Sequence, residues 1–200
     1  LNKDLADKFY NLLHNKQYER LQFEVDMLGN IEKQHSLVKF YYASSIYLKE
    51  ASKEKELLFA SDLFEEVHVS NKNHLQSLYN MIAVSFKTKV FKKVFPLALK
   101  AFEKNRDDTK LIEGLARIHF YLGNRKESIQ LFRKLYNILP DKIEGRFPFV
   151  SSLNYSSGVS QEEYLKECLE FSSLVEKKFN VENDNFKFKN KKNEKIKIAF

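Results

Sequence analysis

Apolar side chains recur every three or four positions along residues 112–141, with polar and charged residues between them. This spacing predicts two amphipathic α-helices, because positions three or four apart share one face of a helix. Gly123 and Asn124 separate the two halves, and Pro140 with Asp141 follows the second, which indicates a turn and then a stop. The repeating positions are Ile112, Leu115, Ala116 and His119 in the first half, and Ser128, Phe132 and Leu135 in the second.

The same pattern returns when the sequence is shifted by 34 residues. The slots of Ile112, Phe132 and Leu135 are then filled by Leu78, Ala98 and Ala101, and one step earlier by Ser44, Phe64 and Val67. A helix pair with this period, and with small and aromatic residues at fixed slots, resembles the tetratricopeptide repeat. The resemblance implies an all-α, right-handed solenoid, in which each helix pair buries its apolar side against the next pair.

The repeats divide the chain into a solenoid and a shorter C-terminal part. We expect the solenoid over residues 1–141, with regular units over about 41–141 and an irregular first unit over 4–36. Beyond Pro140 the repeat pattern fades, and residues 142–179 are expected to form a capping helix pair. The pentatricopeptide repeat, which reads RNA, has a similar helix pair. Its period is slightly longer, however, and its RNA partner would require a basic folded region.

The charge of the chain is concentrated near its end. The net charge is +7, yet residues 187–197 hold six lysines and one glutamate, which leaves a nearly neutral remainder. We therefore expect no nucleic-acid partner. The single cysteine, Cys168, favours a reducing compartment and a buried thiol, and no apolar run reaches the roughly 18 residues of a membrane span. These features predict a cytoplasmic protein without a membrane partner.

Catalytic and metal-binding patterns are missing from the sequence. The five histidines show no metal-ligand spacing, and five scattered glycines provide no phosphate-binding loop. His119 occupies an apolar slot, which indicates a hydrogen-bonded core residue, and Ser160 with Glu162 and Glu163 reads as a helix start. We expect no catalytic, metal or cofactor site within these residues.

The resemblance to tetratricopeptide proteins implies a groove lined by the first helix of each pair. Aromatic rings interleaved with cations at these positions suit an extended, acidic protein or peptide partner. The alternative is that ordinary exposed lysines lie beside rings that pack between repeats. Asn80 and Lys110 alone match the residues with which some tetratricopeptide adaptors hold a carboxylate. The candidate peptide-binding residues are Tyr42, Lys49, Lys53, Tyr79, Asn80, Phe86, Lys87, Lys110, Arg117, Phe120 and Tyr121.

The region after the repeats carries four features in a particular order. They are Leu153-Asn154-Tyr155, Ser160-Gln161-Glu162-Glu163, a long helix ending near Phe179, and the alternating segment Lys195–Phe200. This order resembles the bacterial and plant (SPINDLY-type) relatives of O-linked N-acetylglucosamine transferase, where a tetratricopeptide solenoid leads into a catalytic region. The resemblance implies a basic flexible linker over 180–194 and the first strand of a catalytic domain over 195–200, an orphan strand within this chain.

Three functions follow as hypotheses. The first is the partner-presenting region of a protein O-glycosyltransferase, whose UDP-sugar donor would bind residues beyond this segment. The second is a stand-alone tetratricopeptide adaptor that scaffolds protein complexes without catalysis. The third is a solenoid fused to another Rossmann-type enzyme, such as a methyltransferase, whose first strand would look similar.

Overall fold

The computed structural model describes residues 2–156 and 158–179, which form eleven α-helices and no strand. The linker expected over 180–194 and the strand expected over 195–200 lie outside the described residues. The helices are α1 (Lys3–His14), α2 (Tyr18–Asp26), α3 (Asn30–Lys33), α4 (Ser36–Leu48), α5 (Glu54–Ser70), α6 (Leu75–Thr88), α7 (Val94–Lys104), α8 (Thr109–Tyr121), α9 (Arg125–Ile138), α10 (Ile143–Leu153) and α11 (Gln161–Phe179).

From α4 to α11 each helix packs against the next, and the residues at the repeating slots are buried between them. Ile112 of α8, Leu78 of α6 and Ser44 of α4 all occupy one slot, and all three are buried. On the second helices, Phe132, Ala98 and Phe64 likewise occupy one slot, and all three are buried. The predicted all-α solenoid with its 34-residue step is therefore confirmed, because equivalent positions are removed from water in each unit.

The solenoid curves toward its first helices. Helices α4, α6 and α8 contact one another in succession, whereas the second helices α5, α7 and α9 pack less closely among themselves. Elements on the inside of a curved stack lie closer together than those on the outside. The first helices therefore line the inner face, which is the face where the sequence places the groove.

The 34-residue step continues beyond Pro140, where the sequence had indicated that it fades. In α10, Phe149 and Val150 fill the slots of Leu115 and Ala116, and both are buried. The slot of Ile112 is filled by Arg146, which is also buried. A charged residue at a core position and Pro148 within the helix hide the apolar period of α10 in the sequence.

Close contacts fix α10 against its neighbours. Gly145 allows the approach to α9, since a Cβ at this position would lie 2.5 Å from the carbonyl oxygen of Leu139. Helix α11 begins as expected, with the backbone N–H of Glu163 donating to Ser160 Oγ at 3.1 Å. Cys168 on α11 is half-buried, so the expectation of a buried thiol is wrong: one side of α11 faces water.

Candidate functional site

The inner face carries an apolar pocket between α8 and α10, with a volume of about 460 Å³. These two first helices do not pack as closely as α6 and α8 do, which leaves space between them. Phe132 of α9 is buried at its floor. Its walls are formed by Arg117, Phe120 and Tyr121 of α8, by Phe147, Pro148 and Ser151 of α10, and by Tyr155.

A basic side chain lies over an aromatic ring at each step along this face. Lys87 Nζ of α6 lies 4.6 Å from the centre of the Tyr47 ring of α4 and donates to the Tyr47 carbonyl oxygen at 3.0 Å. The guanidinium of Arg117 on α8 lies 4.5 Å from the centre of the Phe86 ring on α6. Such stacks hold the rings in place while the cations keep part of their charge available to a ligand.

An aromatic cluster continues from the pocket toward α6. The rings of Phe86, Phe91 and Tyr121 lie within 5.3–5.6 Å of one another. Lys89 lies in the α6–α7 turn, where its backbone takes a φ of 60°. Its Nζ donates a hydrogen bond to the Tyr121 hydroxyl at 3.2 Å. The face therefore offers a continuous apolar surface bordered by cations.

A second cation stacks on the ring of Phe120, which is part of the pocket wall. The guanidinium of Arg125 lies 3.7 Å from the centre of the Phe120 ring, and the Phe120 carbonyl oxygen accepts a hydrogen bond from Arg125 Nη1 at 2.5 Å. The Phe120 ring in turn meets the Tyr155 ring edge to face, with centroids 4.9 Å apart. Glu113 lies 3.6 Å from Arg117 and partly balances its charge.

The structure brings seven of the eleven candidate residues onto this one face. Tyr79 carries Lys110 over its ring at 5.2 Å and donates its hydroxyl proton to the carboxylate of Asp108. Burial, together with this bond to Asp108, raises the pKa of Tyr79, so its hydroxyl is a donor at neutral pH. The seven residues are Tyr79, Phe86, Lys87, Lys110, Arg117, Phe120 and Tyr121.

The other four candidates are held by other contacts. Tyr42 packs edge to face on Phe59 beside α2 and α5, away from the aromatic cluster. Lys49 pairs with Glu19 of α2 at 3.0 Å. Lys53 precedes α5 as its N-cap, and the Asn80 side chain accepts from Gln76 at 2.9 Å.

His119 lies at the edge of the core rather than within it. It is half-buried, packs edge to face on Phe95 at 5.1 Å, and lies 3.3 Å from the Asn124 side chain. Its burial lowers the pKa of the imidazole, which favours the neutral form. Within residues 2–156 and 158–179, no group of acidic, histidine and cysteine side chains is placed to hold a metal ion, and no helix is long and apolar enough to cross a membrane.

Sequence reasoning missed half of the pocket wall. Phe147, Ser151 and Tyr155 stand 34 residues after Glu113, Arg117 and Tyr121, so extending the repeat step into α10 would have found them. Phe91 and Lys89 lie in the α6–α7 turn, outside the helical slots, and no repeat position indicates them. Arg125 begins α9 and reaches Phe120 across the turn.

The fold is similar to that of solved MamA structures. The MamA RS-1 ArsTM double mutant aligns with a TM-score of 0.73 at 14% identity, covering 88% of this chain and 97% of that chain. A crystal structure of MamA protein gives 0.70 at 12% identity over 88% and 95%. MamA 41-end from Desulfovibrio magneticus RS-1 gives 0.66 at 14% identity over 88% and 97%. Similarity at this level of identity shows the fold.

The sequence comparisons give no narrower family. No protein-family model matches the chain, and no curated protein matches it either. The helix-pair solenoid predicted from the repeats is thus supported by structure, whereas the resemblance to O-linked N-acetylglucosamine transferase relatives gains no support from these comparisons.

Proposed function

We propose that this chain is a protein-interaction module that binds an extended peptide along the inner face of its first helices. The pocket between α8 and α10 carries the proposal. It presents the rings of Phe120, Phe147 and Tyr155 around about 460 Å³, enough for one large apolar side chain of a ligand. Rigid aromatic walls of this kind are where binding energy concentrates in protein interfaces.

Charge favours an acidic peptide as the occupant. Five cations border the pocket and the aromatic cluster, against the two carboxylates of Asp108 and Glu113, and both carboxylates already have partners on this face. Acidic residues beside the inserted side chain would form charge-assisted hydrogen bonds with the surplus cations. The five are Lys87, Lys89, Lys110, Arg117 and Arg125.

Selection from a displayed library of random peptides tests this function. We expect the enriched sequences to share a large apolar residue next to aspartate or glutamate, and the corresponding synthetic peptides to bind saturably. Chemical-shift changes on binding should centre on α8 and α10. A library without any saturable binder, or binders that map to the second helices, would contradict the proposal.

A role within a glycosyltransferase stays a prediction from the sequence order of residues 143–200. It places the peptide groove in a larger enzyme, where the groove would present acceptor or partner proteins and the sugar donor would bind elsewhere. The alternative is a stand-alone adaptor that scaffolds protein complexes without catalysis. Sequencing the reading frame past Phe200 separates the two, since a Rossmann-type catalytic region must follow in the first case.

A further inference from the structure

A second pocket, of about 320 Å³, opens on the outer face between α5 and α7, away from the peptide groove. Three lysines line it: Lys72 from the turn after α5, and Lys100 with Lys104 from α7. Lys100 and Lys104 are four positions apart and therefore project from the same side of α7. No aspartate or glutamate is among the described residues that line the pocket.

The three lysines have no charge partner in the described part of the chain. None of them forms an ion pair, although nine other basic residues there do. The pocket lies at the C-terminal ends of α5 and α7, and each helix end carries roughly half a negative charge. Two helix ends offset about one of the three positive charges. A net positive potential is therefore left at the pocket.

A buried imidazole adds an independent observation. His68, in the last turn of α5, lines the pocket and is only 5% exposed, and its buried Nδ1 has no hydrogen-bond partner among the described residues. An unpartnered buried polar atom costs free energy unless a ligand or water meets it. Val69 and Leu97 supply an apolar wall beside it.

We infer that this outer pocket binds a phosphate-type oxyanion carried on a short apolar stem. The oxyanion would take charge-assisted hydrogen bonds from Lys72, Lys100 and Lys104, with His68 completing the site from inside. The stem would lie against Val69 and Leu97. The volume, at the lower end of the range for small-molecule sites, suits a phosphate group with a few carbon atoms.

The test follows the ring nitrogens of His68 by NMR while inorganic phosphate or butyl phosphate is added at constant ionic strength. We expect saturable shifts at the His68 ring and at the backbone amides of Asn73 and Asn105, two other residues of the pocket. Butyl phosphate should bind at least about threefold more tightly than inorganic phosphate, because the stem buries methylene groups. Equal affinity for butyl phosphate and inorganic phosphate would contradict binding of an apolar stem.

The matched variants change only exposed lysines, so they should leave the fold intact. The double change K100A and K104A should weaken phosphate binding by about fivefold or more, because it removes two charged donors. The control, K55A with K92A, removes two exposed lysines that line neither the outer pocket nor the pocket between α8 and α10. Shifts that never saturate, or an equal loss in the control, would overturn the site.

Discussion

The guanidinium of Arg146 on α10 lies 2.9 Å from a carboxylate oxygen of Glu167 on α11, with both side chains largely shielded from water. The same guanidinium binds the carboxylate of Glu170 and donates to the Tyr136 hydroxyl of α9 at 3.2 Å. One residue thus ties together the three helices that follow α8. This arrangement positions α10, and with it the wall of the peptide pocket.

Arg146→Ala should destabilise the protein. It leaves Glu167 without its cation in a partly buried place, and we expect a loss of about 2 kcal/mol or more in the free energy of unfolding. Arg133→Ala is the matched control, because Arg133 is exposed and lies 3.8 Å from Glu163, a pair worth about 0.5 kcal/mol or less. Urea unfolding measures both, and equal losses would show that Arg146 does not anchor α10.

Gly145→Ala should also destabilise the protein, although alanine has a higher helix propensity than glycine. The added Cβ would lie 2.5 Å from the Leu139 carbonyl oxygen, so α10 must shift away from α9 at a cost of about 1–3 kcal/mol. Gly158→Ala adds a Cβ that meets nothing within 4 Å and should change stability by about 0.5 kcal/mol or less. Thermal unfolding of the two variants compares them, and an unchanged or raised melting temperature for Gly145→Ala would contradict the close packing.

Acid should destabilise the fold partly through His68. Burial lowers the pKa of His68 from its usual 6.5, so below this pH the unfolded chain binds a proton that the folded chain does not. Stability therefore falls as the pH drops from 6.5 toward the lower pKa of the folded state. His68→Gln should reduce this fall, and His14→Gln, which removes an exposed imidazole, should retain it. Urea unfolding at pH 7 and pH 5 measures how much unfolding free energy each protein loses in acid. An equal loss in wild type and His68→Gln would refute the role of His68.

Reversing charges in the groove should weaken binding of acidic peptides. With Lys87 and Arg117 both changed to glutamate, we expect the affinity to fall at least about tenfold, because two attractive charges become repulsive. Lys55 and Lys92, changed in the same way, give the same net charge outside the groove. If both double variants bind alike, the groove cations act only through the overall charge of the protein.

The sequence predicts the solenoid but only part of the pocket. Ile112, Leu78 and Ser44 are one repeat step apart, and burial at such slots follows directly from helical periodicity. Arg146 breaks this rule, since a charge at a core slot is stable only with partners from α11 that the repeat does not indicate. The pocket depends on how far α10 stands from α8, which long-range contacts such as that of Arg146 with Glu167 decide.

The most direct test of the proposed peptide site compares two exposed phenylalanines. Phe147 lines the pocket on α10, whereas Phe23 lies on α2 at the other end of the solenoid, and both are more than half exposed. The dissociation constant of a selected peptide is measured by fluorescence anisotropy with wild type, Phe147→Ala and Phe23→Ala. We expect Phe147→Ala to weaken binding at least about tenfold and Phe23→Ala to leave it unchanged. Wild-type affinity in Phe147→Ala would contradict a peptide site between α8 and α10.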